Sequence, residues 1–494
     1  DWSSDVCSSD LNNEVSIQIP DDVIVDEDQM FPCQNKDDEK KKNVYRSMKG
    51  WFKKSLDGTA RKIFSADTHS AMYQIYDLFK TQLKGTGPLE MMTGTLHIFS
   101  LDLPLIDKEY LEAHGNTTGV PERRTLTLTV EQQKMLFEMT RFSVGIYGVM
   151  GLNPKSIIND AELKEDFTLQ ILLNHTKTSR EEVVDSSMTG ITYDPSFILC
   201  VKKNIDAIVL ALRGTLSVSD CLTDLVAMSD PVTVFGIDGY CHSGVFYSGK
   251  RRYNYLQAKL EALHTMYPSY PIYITGHSLG GGVATVIAAL IKDDHPDWVV
   301  RCLAIAPAAA FTREIACSPQ MKEMVQSFVN DADIVPRLSL GSFEQYKCMI
   351  DVIKNTVGIS TKDILCGSVK KVESPVSAAL KHIGTAKATI CHEIALAQTE
   401  HEPCLPSGRV VQMVPGRSPK RDAWEEPPEL EEEKKGTKEL PPQWFEVPNE
   451  SYGRIIPQWT MFTDHIPHSY SSIIYKCLER ICAFDTDSGQ PKQR

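Results

Sequence analysis

Residues 271–282 read Pro-Ile-Tyr-Ile-Thr-Gly-His-Ser-Leu-Gly-Gly-Gly, and they decide the fold. The β-branched and aromatic residues at 272–275 predict a short buried strand, which ends at Gly276. After the glycines, the apolar run at 283–291 predicts a helix. A strand, a tight turn and a helix around Gly-x-Ser-x-Gly are the context of a nucleophile elbow, which indicates that Ser278 is a reactive serine.

The structural alternative is a glycine-rich helix start in which Ser278 only caps the helix. The predicted strand before the turn and the predicted helix after it favour the nucleophile. A Cβ atom at position 276 or 280 would collide with the elements on either side of the turn, which explains the two glycines. The helix after the turn also directs its N-terminal N–H groups at the site where negative charge would develop.

A serine nucleophile needs a base, and the base needs a carboxylate that orients it. With such an elbow the chain order is serine, acid, histidine. Of the 13 histidines, that order leaves five candidates: His382, His392, His401, His465 and His468. His277 adjoins Ser278, but adjacent residues on a sharp turn point apart. We therefore expect His277 to pack or form hydrogen bonds within the elbow.

The acid is expected where a strand ends. Residues 324–330 predict a strand, and Asp331 and Asp333 follow it directly. Either carboxylate would lie at the carboxyl edge of the sheet, where sites of α/β proteins form. Either residue can instead make a local Asx turn, so the pattern alone leaves both candidates open.

The rest of the chain predicts an α/β-hydrolase fold with a mostly parallel central sheet and helices on both faces. Further strands are expected at 197–201, 207–212, 302–306 and 325–329, and helices at 252–266 and 281–292. The first two strands form a hairpin-like pair and predict an antiparallel start to the sheet. Thr129 and Gln132 form a capping-box pattern, which predicts a helix to about residue 150.

Four ordered motifs resemble the class 3 lipase family, and within it the sn-1-specific diacylglycerol lipase branch. They are the segments 273–282, 212–220, 333–337 and 464–470, the last reading Asp-His-Ile-Pro-His-Ser-Tyr, with Ser-Gly-Arg-Val at 407–410 as a preceding strand. The resemblance covers residues 129–340 and 405–481. The chain departs from the branch in two respects. No N-terminal transmembrane helices are visible, and the segments 341–400 and 417–442 have no counterpart in the branch.

The resemblance implies a role for each of several residues. It makes Asp333 the catalytic acid and His465 the base, with Asp331 a turn residue and His468 a non-catalytic residue on the same exposed face as His465. It places the oxyanion hole at the N–H groups of Thr215 and Leu279, with the Thr215 hydroxyl as a further donor. It also implies structural roles for Asp220 and Asp224, and a short cover over the site at 216–234.

Composition limits the classes of function. The chain has 494 residues, 42% of them apolar and 24% charged, which is typical of a globular protein. Its net charge of −13 gives no support to nucleic-acid binding. The 13 cysteines show no zinc-ligand spacing and no Cys-x-x-Cys pair, which favours a reducing, cytoplasmic location. The serine chemistry requires no metal and no cofactor.

Contact with a membrane is expected only at the surface. No apolar run reaches the roughly 18–20 residues that span a bilayer, and the first residues show no signal peptide. Residues 1–11 lack an initiator Met and resemble translated sequencing adapter, which leaves room for upstream transmembrane segments. Residues 40–62 carry nine Lys or Arg and one acid along an apolar stripe, a pattern that suits an anionic membrane. A solvated basic linker and a calmodulin-target helix are the alternatives.

These patterns divide the chain into five predicted parts. They are a disordered tail at 1–65, a lipase core at 66–340, a helical insertion at 341–400, the C-terminal part of the core at 401–485 with an acidic disordered insertion at 417–442, and a tail at 486–494. The predicted activity is hydrolysis of glycerolipid acyl esters, with diacylglycerol as the expected substrate. Phospholipase A1 or triacylglycerol lipase activity, or a non-catalytic membrane-associated scaffold, are the alternatives.

Overall fold

The computed structural model describes most of the region between residues 123 and 483. The described residues are 123–148, 165–190, 193–215, 229–358, 380–397, 399–415, 442–456, 460, 461 and 463–483, with six single residues between 94 and 109. The predicted tails at 1–65 and 486–494, the basic segment at 40–62, the aspartates at 220 and 224, and nearly all of the insertion at 417–442 lie outside them.

The described strands form one large sheet and one hairpin. The large sheet has nine strands in the order β1-β11-β10-β9-β8-β7-β4-β3-β2, and β5 pairs with β6. The strands are β1 Arg124–Leu126, β2 Val183–Ser187, β3 Phe197–Lys202, β4 Ala207–Leu212, β5 Ser229–Val234, β6 Ile237–His242, β7 Ile272–His277, β8 Val300–Ile305, β9 Val325–Asn330, β10 Arg409–Val414 and β11 Gln443–Val447.

The five central strands β4, β7, β8, β9 and β10 are parallel to one another, and the antiparallel pairs of the described sheet begin where β3 joins β4 and β11 joins β10. The helices are α1 Val130–Gly145, α2 Glu165–Thr176, α3 Ser243–Met266, α4 Leu279–Asp294, α5 Arg313–Ala316, α6 Pro319–Met324, α7 Leu340–Thr356, α8 Lys387–Leu396 and α9 Pro467–Ala483.

Strand β4 shows why the sheet is covered on both faces. All six of its residues are buried. Successive side chains of a strand point to opposite faces, and here Ile208 and Leu210 join the hydrophobic cluster that contains α3, α4, α7 and α8. Val209 and Ala211 join the cluster that contains α1, α2 and α9. The predicted α/β fold, with a mostly parallel sheet and helices on both faces, is thereby confirmed.

The predicted strands and helices occur with shifts of their ends, of which the largest is at α3, where the helix begins at Ser243 and not at residue 252. The antiparallel pair β3–β4 and the capping box of Thr129 and Gln132 are present, and α1 ends at Gly145 instead of about residue 150. The short strands β1, β2, β5, β6 and β11 were not predicted. Strand β2 reads Val-Val-Asp-Ser-Ser, which has little apolar alternation, so its pairing with β3 decides its conformation.

The structure describes only the last six residues of the predicted cover at 216–234, and the cover stays a prediction. Residues 229–234 are β5 and pair with β6 along their whole length, from Ser229 opposite His242 to Val234 opposite Ile237. Residues 216–228 lie outside the described residues. Helices α7 and α8, within the predicted insertion at 341–400, add Phe343, Ile350 and Ile390 to the hydrophobic cluster of α3 and α4. The division of the chain into five parts stays a prediction.

Candidate active site

Ser278 lies between β7 and α4 in a strained backbone conformation. Its φ is 61° and its ψ is −127°, and a non-glycine residue rarely has a positive φ. Such a conformation costs about 1–3 kcal/mol and persists only where neighbouring structure holds it. Two of the backbone hydrogen bonds of Ser278 attach it to β8 and the segment that follows: Ser278 N–H donates to Ile305 O at 3.0 Å, and Ala308 N–H donates to Ser278 O at 3.0 Å.

The glycines on either side of the turn allow close approach of the backbone. A Cβ atom on Gly276 would lie 2.3 Å from the carbonyl oxygen of Gly280. A Cβ atom on Gly280 would lie 2.5 Å from the carbonyl oxygen of Leu212, at the end of β4. Because both contacts are with backbone, no side-chain movement relieves them. The structure therefore confirms the expectation that a Cβ atom at position 276 or 280 would collide with neighbouring backbone.

The structure brings the predicted serine, histidine and acid together. The Ser278 Oγ atom lies 2.9 Å from His465 Nε2. On the other side of the imidazole, His465 Nδ1 lies 3.0 Å from each carboxylate oxygen of Asp333. All three residues are buried, with Asp333 fully removed from solvent. A carboxylate at Nδ1 leaves Nε2 free of a proton, so that Nε2 can accept the hydroxyl proton of the serine.

Two further donors reach the Asp333 carboxylate. The Tyr470 hydroxyl donates to Oδ2 at 2.6 Å, and Val335 N–H donates to Oδ1 at 2.9 Å. A buried carboxylate is stable only when it is paired and hydrogen-bonded. Burial and the neighbouring Asp333 raise the pKa of Tyr470 well above its ordinary value, so its hydroxyl keeps the proton that it donates.

Residues at the end of β9 attach the loop of His465 to the sheet. The side-chain amide of Asn330 donates to Asp464 O at 2.9 Å, and Asn330 N–H donates to the Tyr470 hydroxyl at 2.8 Å. Ala332 N–H donates to the Asp464 carboxylate at 3.3 Å. The residues on either side of His465 are thereby held by the same segment that carries Asp333.

Thr215 and Leu279, the residues predicted to form the oxyanion hole, lie after the end of β4 and at the start of α4. Leu279 is the first residue of α4, where N–H groups have no acceptor within the helix. Thr215 follows the end of β4, and its Oγ1 atom is buried without a hydrogen-bond partner among the described residues. A buried hydroxyl without a partner is costly, and a ligand oxygen would supply one.

His277 forms the hydrogen bonds that were expected of it within the elbow. Its Nε2 lies 2.8 Å from the backbone oxygen of His465, and its Nδ1 lies 3.2 Å from the Tyr147 hydroxyl. Because a carbonyl oxygen only accepts, the proton of His277 is assigned to Nε2. Burial and the neighbouring His465 hold the pKa of His277 well below its usual range.

Among the described residues, the other candidates for the catalytic acid and base form their hydrogen bonds with residues other than Ser278 and His465. Asp331 has a φ of 39° and makes a left-handed turn after β9. His468 is exposed, whereas His465 is buried, so the expectation that they share an exposed face is wrong. The remaining candidates form hydrogen bonds of their own: His382 with His97, His392 with Glu109, and His401 with Glu344.

Only one group among the described residues has three side chains whose ligand atoms lie close enough to share a metal ion. It consists of Glu344, Glu400 and His401, with Glu400 exposed. His401 Nδ1 and Glu344 Oε1 already form a hydrogen bond of 2.7 Å. The group is formed at the start of α7 and in the segment after α8, and it includes none of Ser278, His465 and Asp333.

Sequence reasoning did not assign the supporting roles of Asn330, Tyr470 and Tyr147. Tyr470 was recognised as part of the Asp-His-x-Pro-x-x-Tyr motif, and its place five residues after His465 is the signal that could have suggested a contact with Asp333. Tyr147 lies 130 residues before its partner His277 and belongs to no motif, so only the tertiary structure reveals it.

Comparison with known proteins fits this geometry. Residues 209–343, from β4 to the start of α7, match the family model of the class 3 lipases. This segment contains Thr215, Ser278, Leu279 and Asp333. Together, the fold and the match support a class 3 lipase.

The relatives point to one branch. The chain is 24% identical to human diacylglycerol lipase-alpha over 318 residues, which cover 60% of this chain and 29% of that protein. It is 28% identical to mouse diacylglycerol lipase-beta over 181 residues, 36% of this chain and 26% of that protein. The chain thus spans less than a third of the length of these curated relatives. They support a class 3 lipase of the diacylglycerol lipase-like branch.

A solved structure of the Rhizomucor miehei triacylglyceride lipase is also similar. It shares 19% identity, with 44% of this chain and 77% of that chain covered and a TM-score of 0.35. Among the described residues, no helix has both the length and the apolar character needed to cross a bilayer.

The buried His277 predicts a pH-dependent stability. The unfolded residue binds a proton below about pH 6.5, whereas burial and His465 keep the folded residue neutral. The unfolded state therefore binds more protons on acidification, and stability falls by up to about 1.4 kcal/mol per pH unit from this residue. We expect His277→Gln to lose less stability than the wild type between pH 7.5 and 5, as measured by urea unfolding.

The matched control is His468→Gln, which removes an exposed imidazole and should retain the wild-type pH dependence. Equal losses of stability in the wild type and in His277→Gln would contradict the prediction.

Proposed function

We propose that this protein hydrolyses acyl esters of glycerolipids, with diacylglycerol as the expected substrate, through Ser278, His465 and Asp333. The observation that carries the proposal is the contact of 2.9 Å between Ser278 Oγ and His465 Nε2 on a strained, glycine-flanked turn. Serine chemistry of this kind uses no metal and no cofactor. The diacylglycerol lipases among the relatives favour diacylglycerol.

The first half of the reaction forms an acyl-enzyme. His465 Nε2 accepts the proton of Ser278 while Oγ attacks the ester carbonyl carbon. The carbonyl oxygen becomes negative and receives hydrogen bonds from the N–H groups of Thr215 and Leu279 and from the Thr215 hydroxyl. When the tetrahedral intermediate collapses, the ester C–O bond breaks and His465 gives its proton to the departing glyceride oxygen.

The second half releases the fatty acid. His465 takes a proton from a water molecule, whose oxygen attacks the acyl carbonyl carbon of the acyl-enzyme. The same donors stabilise the second oxyanion, and His465 returns the proton to Ser278 Oγ as the fatty acid leaves. Asp333 stays ionised throughout. Its two hydrogen bonds from outside the imidazole, from Tyr470 and Val335, keep it oriented.

The three catalytic assignments predict unequal losses of activity. Ser278→Ala should abolish both hydrolysis of a short-chain nitrophenyl ester and labelling by a fluorophosphonate probe, because no nucleophile remains. His465→Ala and Asp333→Asn should lower kcat by about 10³–10⁴, because Ser278 loses its base or the base loses its orientation.

Two neighbouring residues provide matched controls. His468→Ala removes an exposed imidazole three residues from His465, and Asp331→Asn removes a carboxylate two residues from Asp333. Both should keep near-wild-type turnover. Wild-type hydrolysis by purified Ser278→Ala would exclude the proposed nucleophile.

The Thr215 hydroxyl, which has no hydrogen-bond partner among the described residues, predicts a further loss of activity. Thr215→Val keeps the N–H group and the branched shape but removes Oγ1. If the hydroxyl binds the oxyanion, kcat should fall by about 10²–10³ with little change in KM. Thr215→Ser, which keeps the hydroxyl, should retain most of the activity. An unchanged kcat in the valine variant would leave oxyanion binding to the backbone alone.

A panel of lipids tests the substrate. Turnover of diacylglycerol, triacylglycerol and phosphatidylcholine in vesicles of equal lipid concentration should be highest for diacylglycerol. Preference for the phospholipid would indicate a phospholipase A1, and preference for triacylglycerol a triacylglycerol lipase. Vesicle binding without turnover and without labelling of Ser278 would instead indicate a non-catalytic scaffold.

We further propose that residues 40–62 contact an anionic membrane surface, since they carry nine basic residues and aromatic side chains. Replacing Lys40, Lys41 and Lys42 with Glu should weaken co-sedimentation with anionic vesicles in low salt. Unchanged co-sedimentation would contradict this contact.

We also propose an intracellular location. Cys200 and Cys302 are buried free thiols, and burial raises the pKa of each to about 12. Free buried thiols fit a reducing compartment. Mass spectrometry that found these cysteines in disulfide bonds would contradict it.

A further inference from the structure

A buried tyrosine that belongs to none of the sequence motifs, Tyr147, contacts the residue before Thr215 and the residue before Ser278. Tyr147 lies in the turn after α1 and is only 8% exposed. Its hydroxyl oxygen is 3.1 Å from Gly214 N, 3.2 Å from His277 Nδ1 and 3.4 Å from His277 O. Gly214 immediately precedes Thr215, and His277 immediately precedes Ser278.

The direction of each hydrogen bond follows from its partners. Gly214 N–H can only donate, so the Tyr147 oxygen accepts from it. The hydroxyl proton then points towards His277, whose Nδ1 is the nearer acceptor. The proton on His277 Nε2 donates to the backbone oxygen of His465 at 2.8 Å. A continuous chain of three hydrogen bonds therefore runs from the residue before Thr215 to the backbone of His465.

We propose that Tyr147 and His277 are positioning residues, which hold the oxyanion segment and the general base at a fixed separation. The inference rests on the proposed function of Ser278 and His465. Neither residue touches the substrate in this assignment. They act through the peptide group at Gly214 and through the backbone oxygen of His465, and so set where the Thr215 N–H and the His465 imidazole lie relative to Ser278.

The surroundings explain why a neutral histidine suits this position. The ring centroids of His277 and His465 are 4.8 Å apart, and the Tyr147 and Tyr470 rings meet His277 edge-on at 5.7 and 5.8 Å. During the reaction His465 becomes positively charged. A second positive charge on His277 would oppose that step, and the low pKa of the buried His277 prevents it.

The chain also explains why the tyrosine hydroxyl matters. Without it, Gly214 N–H and His277 Nδ1 both lose a partner, and both residues are buried. His277 could then move its proton to Nδ1 and lose its hydrogen bond to His465. A displacement of the order of 1 Å between reacting groups can lower a rate by about 100-fold. We expect a smaller displacement after loss of the Tyr147 hydroxyl, and therefore a rate that is about tenfold lower.

The test compares two tyrosine variants. Tyr147→Phe should lower kcat for a nitrophenyl ester about tenfold, leave KM near its wild-type value, and slow fluorophosphonate labelling of Ser278 by a similar factor. The control is Tyr253→Phe, which removes another buried hydroxyl, one that donates to Asp294 Oδ2 at 2.7 Å between α3 and α4. It should leave kcat and labelling unchanged, and thermal unfolding should show that both variants fold.

Substitutions at His277 add a test that distinguishes a role in hydrogen bonding from a role in packing. A Gln side chain can donate to His465 O and accept from Tyr147, whereas Leu can do neither, so His277→Gln should keep more activity than His277→Leu. If the two residues act as one chain, the double variant Tyr147→Phe with His277→Leu should be little slower than His277→Leu alone.

The outcomes separate this inference from the proposed function. A wild-type protein that neither labels nor hydrolyses an ester would overturn both. A wild type that does both, with Tyr147→Phe as fast as Tyr253→Phe, would overturn only the positioning role. Multiplicative losses in the double variant would also contradict the single chain. If Tyr147→Phe fails to fold, the comparison of Gln with Leu at position 277 still decides.

Discussion

The hydrogen bonds between His465 Nδ1 and the Asp333 carboxylate, 3.0 Å long and fully buried on the carboxylate side, govern the arrangement of the rest of the site. A carboxylate removed from water is tolerated only with several donors around it. The Tyr470 hydroxyl and Val335 N–H supply two more, which ties α9 to the loop after β9. Because the buried Asp333 carboxylate is held by these hydrogen bonds, it fixes the orientation of the imidazole that faces Ser278.

The parallel strands make this arrangement possible. Leu212 lies opposite Gly276, and His277 opposite Ile305, so the ends of β4, β7 and β8 meet at one edge of the sheet. Segments that are distant in sequence emerge there within hydrogen-bond reach of one another. The strain at Ser278 is compatible with stability because Ile305 at the end of β8 and Ala308 in the segment after it hold its backbone on either side. The elbow is therefore a property of three strands and not of the five-residue motif alone.

Much of the site was predictable for physical reasons that act locally. Gly276 and Gly280 mark a turn with no room for side chains, the apolar runs on either side identify the strand and helix, and chain order limits the histidines. The choice of His465 and Asp333 came from a resemblance of motifs, since position alone left five histidines and two aspartates. The short strands β2 and β5 were not predictable, because pairing with a neighbour decides their conformation and their own composition does not.

The sequence by itself identified Ser278 as the candidate nucleophile, and it determined the mostly parallel sheet and the continuous apolar run that buries both faces of β4. These features depend on residue size, on the length of apolar runs and on the backbone freedom of glycine. Only the tertiary structure decided which side chains surround the imidazole. Tyr147 meets His277, and Asn330 meets Asp464, across separations of 130 and 134 residues. No local pattern encodes such contacts, because they arise from how α1 and α9 pack on the sheet, and that packing also removes Asp333 from water.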